Sequence, residues 1–190
     1  AIVLVDSRPD DHDDPFPVSE QPLVGVPGDI SGLDGRMVGV SGGAAFLLCR
    51  RAARMNRHAG QWALPGGRLD ADELDEELGL RLGTESVLGI LDDYPTRSGF
   101  VITPVVVWGG DDVHLRPDPG EVAHVYRIGL HQLRRDDSPR FVSIPESDRP
   151  VVQLPLGGDL IHAPTGAVLL QLRWVGERVD QLEQPVFAWR

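Results

Sequence analysis

The chain has little cysteine, fewer basic than acidic residues, and no apolar run long enough to span a membrane. Its one cysteine, Cys49, excludes a disulfide within the chain and a zinc site built from several cysteines. The 18 basic and 29 acidic residues give a net charge of −11, which argues against a nucleic-acid partner. The short apolar start has no basic flank, so we expect a cytoplasmic protein without a membrane partner.

The composition is that of an ordinary soluble domain. A chain of 190 residues with 41% hydrophobic side chains can bury one sizeable core. We therefore expect a single domain over residues 1–190. Residues 7–34 are rich in proline, glycine and aspartate, which predicts a loop-rich insertion.

The rest of the chain mixes strand patterns with two main helix patterns, which predicts an α/β fold. One helix is expected to close at the sequence EELGL, where Gly79 suits a C-cap, and another spans the pattern at 163–175. The predicted strands cover residues 2–5, 44–50, 87–94, 100–108, 121–128, 141–144 and 151–154, and residues 62–67 form a strand that ends in a turn. A short helix is predicted at 130–135, and residues 185–189 form a final strand or a docked tail.

The stretch LPGGRLDADELDEELGLRLG is the most informative part of the sequence. Its residues Glu73, Glu76 and Glu77 are spaced i, i+3 and i+4, which places them within about 100° on one helix face. Like charges at this spacing repel each other, and a hard divalent cation would relieve the repulsion. A solvated acidic helix face is the alternative. The turn Pro65–Gly67, just upstream, could direct backbone carbonyls toward the helix.

Two further groups are candidates for the same site. Arg51, Arg54 and Arg57 lie in a basic segment of an otherwise acidic protein, and guanidinium groups bind phosphate well. A solvated basic turn is the alternative for these arginines. Glu121 opens a predicted strand, where it would serve as a metal ligand or a catalytic base, or lie exposed at a strand edge.

The residues Glu73–Leu80 resemble the second half of the Nudix box, E-U-x-E-E-x-G-U, at every position, where U is a bulky aliphatic residue. The residues 66–72 resemble its opening. This resemblance implies a Nudix-type α/β/α sandwich with a mixed β-sheet. It also implies hydrolysis of a diphosphate that depends on Mg²⁺ or Mn²⁺. Carried over by position, Glu73, Glu76 and Glu77 would be metal ligands and catalytic residues, and Gly66 would offer its backbone carbonyl to the metal.

The segment LLCRRAARMNRHAGQWALPGG looks similar to the signature of the coenzyme A pyrophosphatase branch. The departures are Cys49 for threonine, Asn56 for arginine and Leu64 for phenylalanine. The resemblance implies cleavage of coenzyme A or its thioesters to 3',5'-ADP and a 4'-phosphopantetheine compound. We accordingly assign substrate binding to Arg51, Arg54, Arg57 and Gly67, and the catalytic residues include Glu121.

Alternatives to coenzyme A are another nucleoside diphosphate derivative, such as NADH or ADP-ribose, and a Nudix module that binds a nucleotide without catalysis. The expected partner is in each case a small nucleotide. A homodimer is left open.

The box is interrupted. Glu73 already occupies the position after the box arginine, so about nine box residues between Asp72 and Glu73, that arginine included, have no counterpart. A real deletion would shorten the helix by roughly two and a half turns. Because the motif from Glu73 to Leu80 is intact, we favour a segment omitted from the sequence at hand. A Cα–Cα distance of about 3.8 Å from Asp72 to Glu73 would contradict this.

Overall fold

The structure is a computed structural model that describes residues 1–7, 43–54, 59–67, 73–96, 98–111, 113–134, 136–145, 147–156 and 159–176. Four predictions fall outside this part of the chain. They are the insertion at 7–34 beyond its first residue, the placement of Arg57, the link between Asp72 and Glu73, and the strand at 185–189. These stay predictions, as does the assignment of residues 1–190 to one domain.

The described elements are eleven strands, two helices and two short 3₁₀ turns. The strands are β1 (Ile2–Ser7), β2 (Gly43–Arg51), β3 (Trp62–Ala63), β4 (Val87–Ile90), β5 (Tyr94–Pro95), β6 (Val101–Ile102), β7 (Val105–Gly110), β8 (Val122–Gly129), β9 (Arg140–Ile144), β10 (Ser147–Leu156) and β11 (Asp159–His162). The helices are α1 (Glu73–Leu78) and α2 (Thr165–Gly176), and the turns are Thr84–Ser86 and Leu130–Arg134.

The main sheet is mixed. Its strands follow the order β3-β2-β1-β7-β4. Along β2, the strands β1 and β3 pair with successive parts of one edge, and β8 pairs with the opposite edge. The pair β1–β7 is parallel, whereas the other pairs in this sheet are antiparallel. A second, antiparallel sheet has the order β11-β10-β9, and β5 pairs with β6 in a separate hairpin. The predicted α/β class with a mixed sheet is confirmed.

The two faces of the main sheet carry different layers because side chains alternate along each strand. On one face, Leu47 and Cys49 of β2 pack in a core with Leu78 of α1. On the other face, Phe46 and Leu48 pack in a core with α2 and the second sheet. The layers are thus α1, the main sheet, and α2 with the second sheet, which is the predicted α/β/α sandwich.

Most predicted elements are confirmed, but two long strands are divided. The apolar pattern at 100–108 forms β6 and β7, separated at Pro104, which has no backbone N–H for a ladder hydrogen bond. The pattern at 87–94 forms β4 and β5, and the loop between them holds Asp93, which accepts a hydrogen bond from Thr103 Oγ1 (2.5 Å). Strand β11 was not predicted. Within the described residues, none of the helices has the length and apolar character needed to cross a membrane.

Candidate functional site

The carboxylate helix is joined to the glycine turn by a hydrogen bond. The backbone N–H of Gly66 donates to Glu77 Oε2 over 2.7 Å. Gly66 has φ of +92°, a conformation that residues with a Cβ adopt at a cost, so glycine is needed at this turn. Upstream, the amino nitrogen of Ala1 donates to the Pro65 carbonyl (2.6 Å), which ties the turn to β1. The turn therefore presents its backbone to α1.

Gly67 and Glu73 are in close approach. A Cβ added at Gly67 would overlap the carboxylate of Glu73, so only glycine leaves room for that side chain in its present place. Glu73 and Glu77 lie one helical turn apart on α1 and both are half-buried. The two glycines thus lie against the two carboxylates that the sequence predicts to work together.

Glu121 reaches the same region through the segment 116–121, which precedes β8 and is hydrogen-bonded to the end of α1. The carbonyls of Glu77 and Leu78 accept hydrogen bonds from the backbone N–H groups of Asp118 (2.9 Å) and Arg116 (2.7 Å). The Asp118 carbonyl then accepts from the N–H of Glu121 (3.1 Å). Because these bonds attach the turn before β8 to the helix, Glu121 lies close enough to Glu77 to influence its pKa.

Arg51 stands at the end of β2, and its charge lowers the pKa of Glu77. The pairing of β2 with β8 shifts register between Arg50 and Arg51, and the next backbone N–H, of Ala52, donates to the Glu121 carbonyl (2.8 Å). A bulge of this kind turns neighbouring side chains to new directions. The Nε of Arg51 is buried and has no hydrogen-bond partner among the described residues. The end of β2 thus brings the positive charge of Arg51 to the region of Glu77 and Glu121.

The predicted arginines do not all share this environment. Arg54 is exposed and donates to the Pro119 carbonyl over 3.3 Å, so it supports the turn that leads to Glu121. Arg57 lies outside the described residues. Of the two arginines that the structure describes, Arg51 is the one whose charge acts on Glu77.

The site carries excess negative charge. Burial raises the pKa of Glu77 above its ordinary value, and the charges of Glu121 and Glu73 raise it further. The hydrogen bond from Gly66 and the charge of Arg51 act in the opposite direction. A cation placed among these carboxylates would favour the ionised form of Glu77.

The oxygen donors suit a hard divalent cation, because Mg²⁺ is commonly held by one or two carboxylates while it keeps several waters. Glu73 and Glu77 fit this description, and Glu76 is exposed on the same helix. Within the described ranges, no group of three or more His, Cys, Asp or Glu side chains is placed to hold a metal ion. The described residues therefore bring two carboxylates together against the glycine turn, those of Glu73 and Glu77.

Sequence reasoning missed a buried polar cluster behind the site. Arg50 and Asp159 form an ion pair, and the Trp62 Nε1–H donates to Asp159 Oδ2 over 2.8 Å. Both charged side chains are 1% exposed. The available signal was the alternation of β2, which places Arg50 on the same face as Phe46 and Leu48 and hence inside the core.

Comparison with known proteins supports the resemblance in sequence. No protein-family model matches the chain. An uncharacterized Nudix hydrolase, NudL, of Citrobacter koseri is 33% identical over 100 residues, which cover 47% of this chain and 52% of that protein. The protein of the same description from Yersinia enterocolitica is 33% identical over 100 residues, covering 47% and 51%. The chain thus spans about half the length of the curated relatives it matches.

Solved structures give weaker likenesses. A Nudix hydrolase from M. smegmatis, RenU, has a TM-score of 0.44 and 19% identity, with 96% of this chain and 87% of that one covered. A MutT Nudix hydrolase from Burkholderia pseudomallei has a TM-score of 0.40 and 21% identity, covering 67% and 88%. The sequence matches do confirm what the motif at Glu73–Leu80 predicts: this chain is similar to the Nudix hydrolases.

Proposed function

We propose that the chain hydrolyses a diphosphate linkage with the help of a divalent metal ion, and that coenzyme A or an acyl-coenzyme A is the substrate. The products would be 3',5'-ADP and a 4'-phosphopantetheine compound. The observation that carries the proposal is the hydrogen bond from Gly66 to Glu77, because it holds the carboxylate helix against the glycine turn of the same motif. The proposal for coenzyme A adds the resemblance of residues 47–67 to the signature of that branch.

Glu73 and Glu77 would hold Mg²⁺ or Mn²⁺, and the resemblance in sequence implies Glu76 and the backbone carbonyl of Gly66 as further ligands. When bound, the ion supplies positive charge that neutralises the diphosphate and promotes ionisation of water. This accounts for how a chain of net charge −11 would accept a polyanion. The protein's own contribution is to keep Glu73 and Glu77 fixed on the turn, so that the donors need little rearrangement.

The remaining groups have separate tasks in the proposal. Arg51 would bind a phosphate oxygen, since its guanidinium lies beside the carboxylates and its Nε is unpartnered in the described structure. Gly67 would let a phosphate approach the backbone, and Arg54 and Arg57 would add positive charge farther along the segment. Either Glu77 or Glu121 would accept the proton from the attacking water. The charge of Glu121 raises the pKa of Glu77, which burial already raises.

A substrate panel tests the substrate. The chain is incubated with coenzyme A, NADH or ADP-ribose and with Mg²⁺ or Mn²⁺, and the products are identified by liquid chromatography and mass spectrometry. Release of 3',5'-ADP from coenzyme A alone, dependent on metal, is the expected result. Cleavage of NADH or ADP-ribose in its place would preserve the reaction class and contradict the choice of substrate.

A binding module without catalysis is the second candidate. It is favoured by the absence of the box arginine and its neighbours from the sequence between Asp72 and Glu73. The retention of Glu73, Glu76 and Glu77 opposes it. A chain that binds a nucleotide in equilibrium dialysis but releases no product with any member of the panel would support the module. Cytoplasmic location and homodimerisation stay predictions.

A further inference from the structure

Arg50 is a buried cation whose partners lie on the face of the main sheet opposite α1. Its Nη1–H donates to the Gly60 carbonyl over 2.6 Å, and its Nη2 pairs with Asp159 Oδ2. Its Cζ lies 4.0 Å from the centre of the Trp62 ring. A guanidinium can make such a set of contacts at once because its donors lie in one rigid plane.

Asp159 carries the connection onward. One of its oxygens accepts from the Trp62 indole (2.8 Å) and the other from the backbone N–H of Leu160 (2.7 Å). The carbonyl of Trp62 in turn accepts from Thr165 Oγ1 at the start of α2 (3.2 Å). Arg50 and Asp159 therefore hold the segment Gly60–Ala63 between β2 and the layer formed by β11 and α2.

Stability alone is a weak reason for such a pair. Removing two charges from water is costly, and apolar residues of similar volume often serve as well or better. An apolar pair cannot form directional hydrogen bonds, whereas the contacts of Arg50 and Asp159 specify where Gly60 and Trp62 lie. The segment they specify continues directly into the turn that holds Gly66 and Gly67.

The end of β2 that carries Arg50 also carries Arg51, which belongs to the candidate site on the opposite face of the sheet. Arg51, the next residue, exchanges backbone hydrogen bonds with the returning segment: its N–H donates to Gln61 (3.1 Å) and its carbonyl accepts from Gly60 (3.0 Å). The shift in the register of β8 falls between Arg50 and Arg51, just before Ala52 binds the Glu121 carbonyl. A displacement of Gly60 would thus be passed to Arg51, the glycine turn and Glu121.

We infer that Arg50 and Asp159 are a positioning pair. From the far side of the sheet they fix both the Gly60–Gly67 segment and the end of β2, where Arg51 lies and where Ala52 binds the Glu121 carbonyl. This inference rests on the proposed function for its effect on turnover. Its structural claim is separate, and concerns the hydrogen bond from Gly66 to Glu77.

The test replaces the pair by apolar residues, Arg50→Met with Asp159→Leu. Urea unfolding is expected to give a midpoint no lower than that of the unsubstituted chain. Diphosphate hydrolysis is nevertheless expected to fall by about 10–100-fold in kcat, because misplacement on the scale of an ångström is enough for such a loss. Hydrogen exchange read by mass spectrometry is expected to show lost protection at Gly66, with protection in β7 unchanged.

Two outcomes would overturn the inference. One is a double variant that retains both kcat and the protection of Gly66. The other is a loss of protection in β7 together with a lowered midpoint, which would mean that the pair only stabilises the fold. A chain that hydrolyses no diphosphate at all would refute the proposed function, while the exchange at Gly66 would still decide the positioning claim.

Arg50→Lys provides a second variant if the double variant does not fold. A lysine keeps the charge but cannot reproduce the planar set of contacts, so reduced protection at Gly66 and a lower kcat are expected. Arg140→Lys is the matched control, because Arg140 belongs to an exposed ion pair with Asp137. Equal effects of Arg50→Lys and Arg140→Lys would contradict the inference.

Discussion

The backbone N–H of Gly66 donates to the carboxylate of Glu77 over 2.7 Å, and this bond joins a turn with positive φ to a half-buried acidic helix. Glu73 lies against the neighbouring Gly67, and Glu121 lies near enough to raise the pKa of Glu77. A carboxylate cluster that is partly buried and held by backbone donors costs stability unless a cation or a proton offsets its charge. Our proposal is that a divalent cation offsets this charge.

The first prediction concerns binding of the metal itself. Glu77→Gln is expected to weaken Mn²⁺ binding by about 10–100-fold, because it removes a charged oxygen donor that the turn holds in place. Electron paramagnetic resonance of free Mn²⁺ during a titration measures the affinity without any substrate. Glu85→Gln is the control, since Glu85 is an exposed glutamate in the turn Thr84–Ser86. Equal affinities for the two variants would exclude Glu77 as a ligand.

The second prediction concerns the conformation of the glycine turn. Gly66→Ala is expected to lower the free energy of unfolding by about 1–3 kcal/mol, since alanine is strained at a φ of +92°. The matched control is Gly89→Ala in β4, where φ is not positive and an added Cβ has open space. Urea unfolding measures both. An effect at Gly66 no larger than at Gly89 would show that the turn tolerates other conformations.

The third prediction is a dependence of stability on pH. His124 pairs in register with Arg50, and burial, aided by the charge of Arg50, lowers its pKa below the ordinary value of 6.5. The folded state thus holds His124 neutral, whereas the unfolded state takes up a proton more readily. Stability from this group is complete above pH 6.5 and is lost as the pH falls below it.

Replacement of this histidine checks the assignment. The urea midpoint of unfolding is measured at pH 7.5 and at pH 5.5, at the same salt concentration. The decrease in midpoint between these pH values is expected to be smaller in His124→Gln than in the unsubstituted chain. A pH dependence that is the same in the unsubstituted chain and in His124→Gln would contradict the prediction.

The fourth prediction concerns the thiol. Cys49 is 3% exposed, and burial, together with the charge of Glu77, raises the pKa of its thiol. Because the thiolate is the reactive form, we expect no reaction with a disulfide reagent at pH 8 in the folded chain and full reaction in denaturant. The chain has one cysteine, so the absorbance change reports on this residue alone. Rapid reaction in the folded chain would contradict the burial of β2.

Local patterns in the sequence predict much of the fold. The periodicity at 163–175 predicts α2, and the apolar alternation at 121–128 predicts β8, because in both cases the buried face follows from the side-chain period. Strand β11 was missed because its four residues include the charged Asp159, whose partner Arg50 is distant in the sequence. Long-range ion pairs leave no local pattern.

For the site, the sequence predicts the residue types better than their surroundings. The spacing of Glu73 and Glu77 follows from the helix, and the need for glycine at 66 and 67 is visible in the motif. The approach of Glu121 depends on hydrogen bonds between α1 and the segment at 116–121, which only the folded chain shows. The attachment of Arg54 to the Pro119 carbonyl is a tertiary contact of the same kind.

Hydrolysis of coenzyme A by the unsubstituted chain and by Glu77→Gln, each with and without Mn²⁺, tests the central claim most directly. The account predicts that 3',5'-ADP is released by the unsubstituted chain only with the metal, that Glu85→Gln behaves in the same way, and that Glu77→Gln loses about 10²-fold or more in rate. Equal rates in the unsubstituted chain and in Glu77→Gln, or release that does not depend on Mn²⁺, would contradict it.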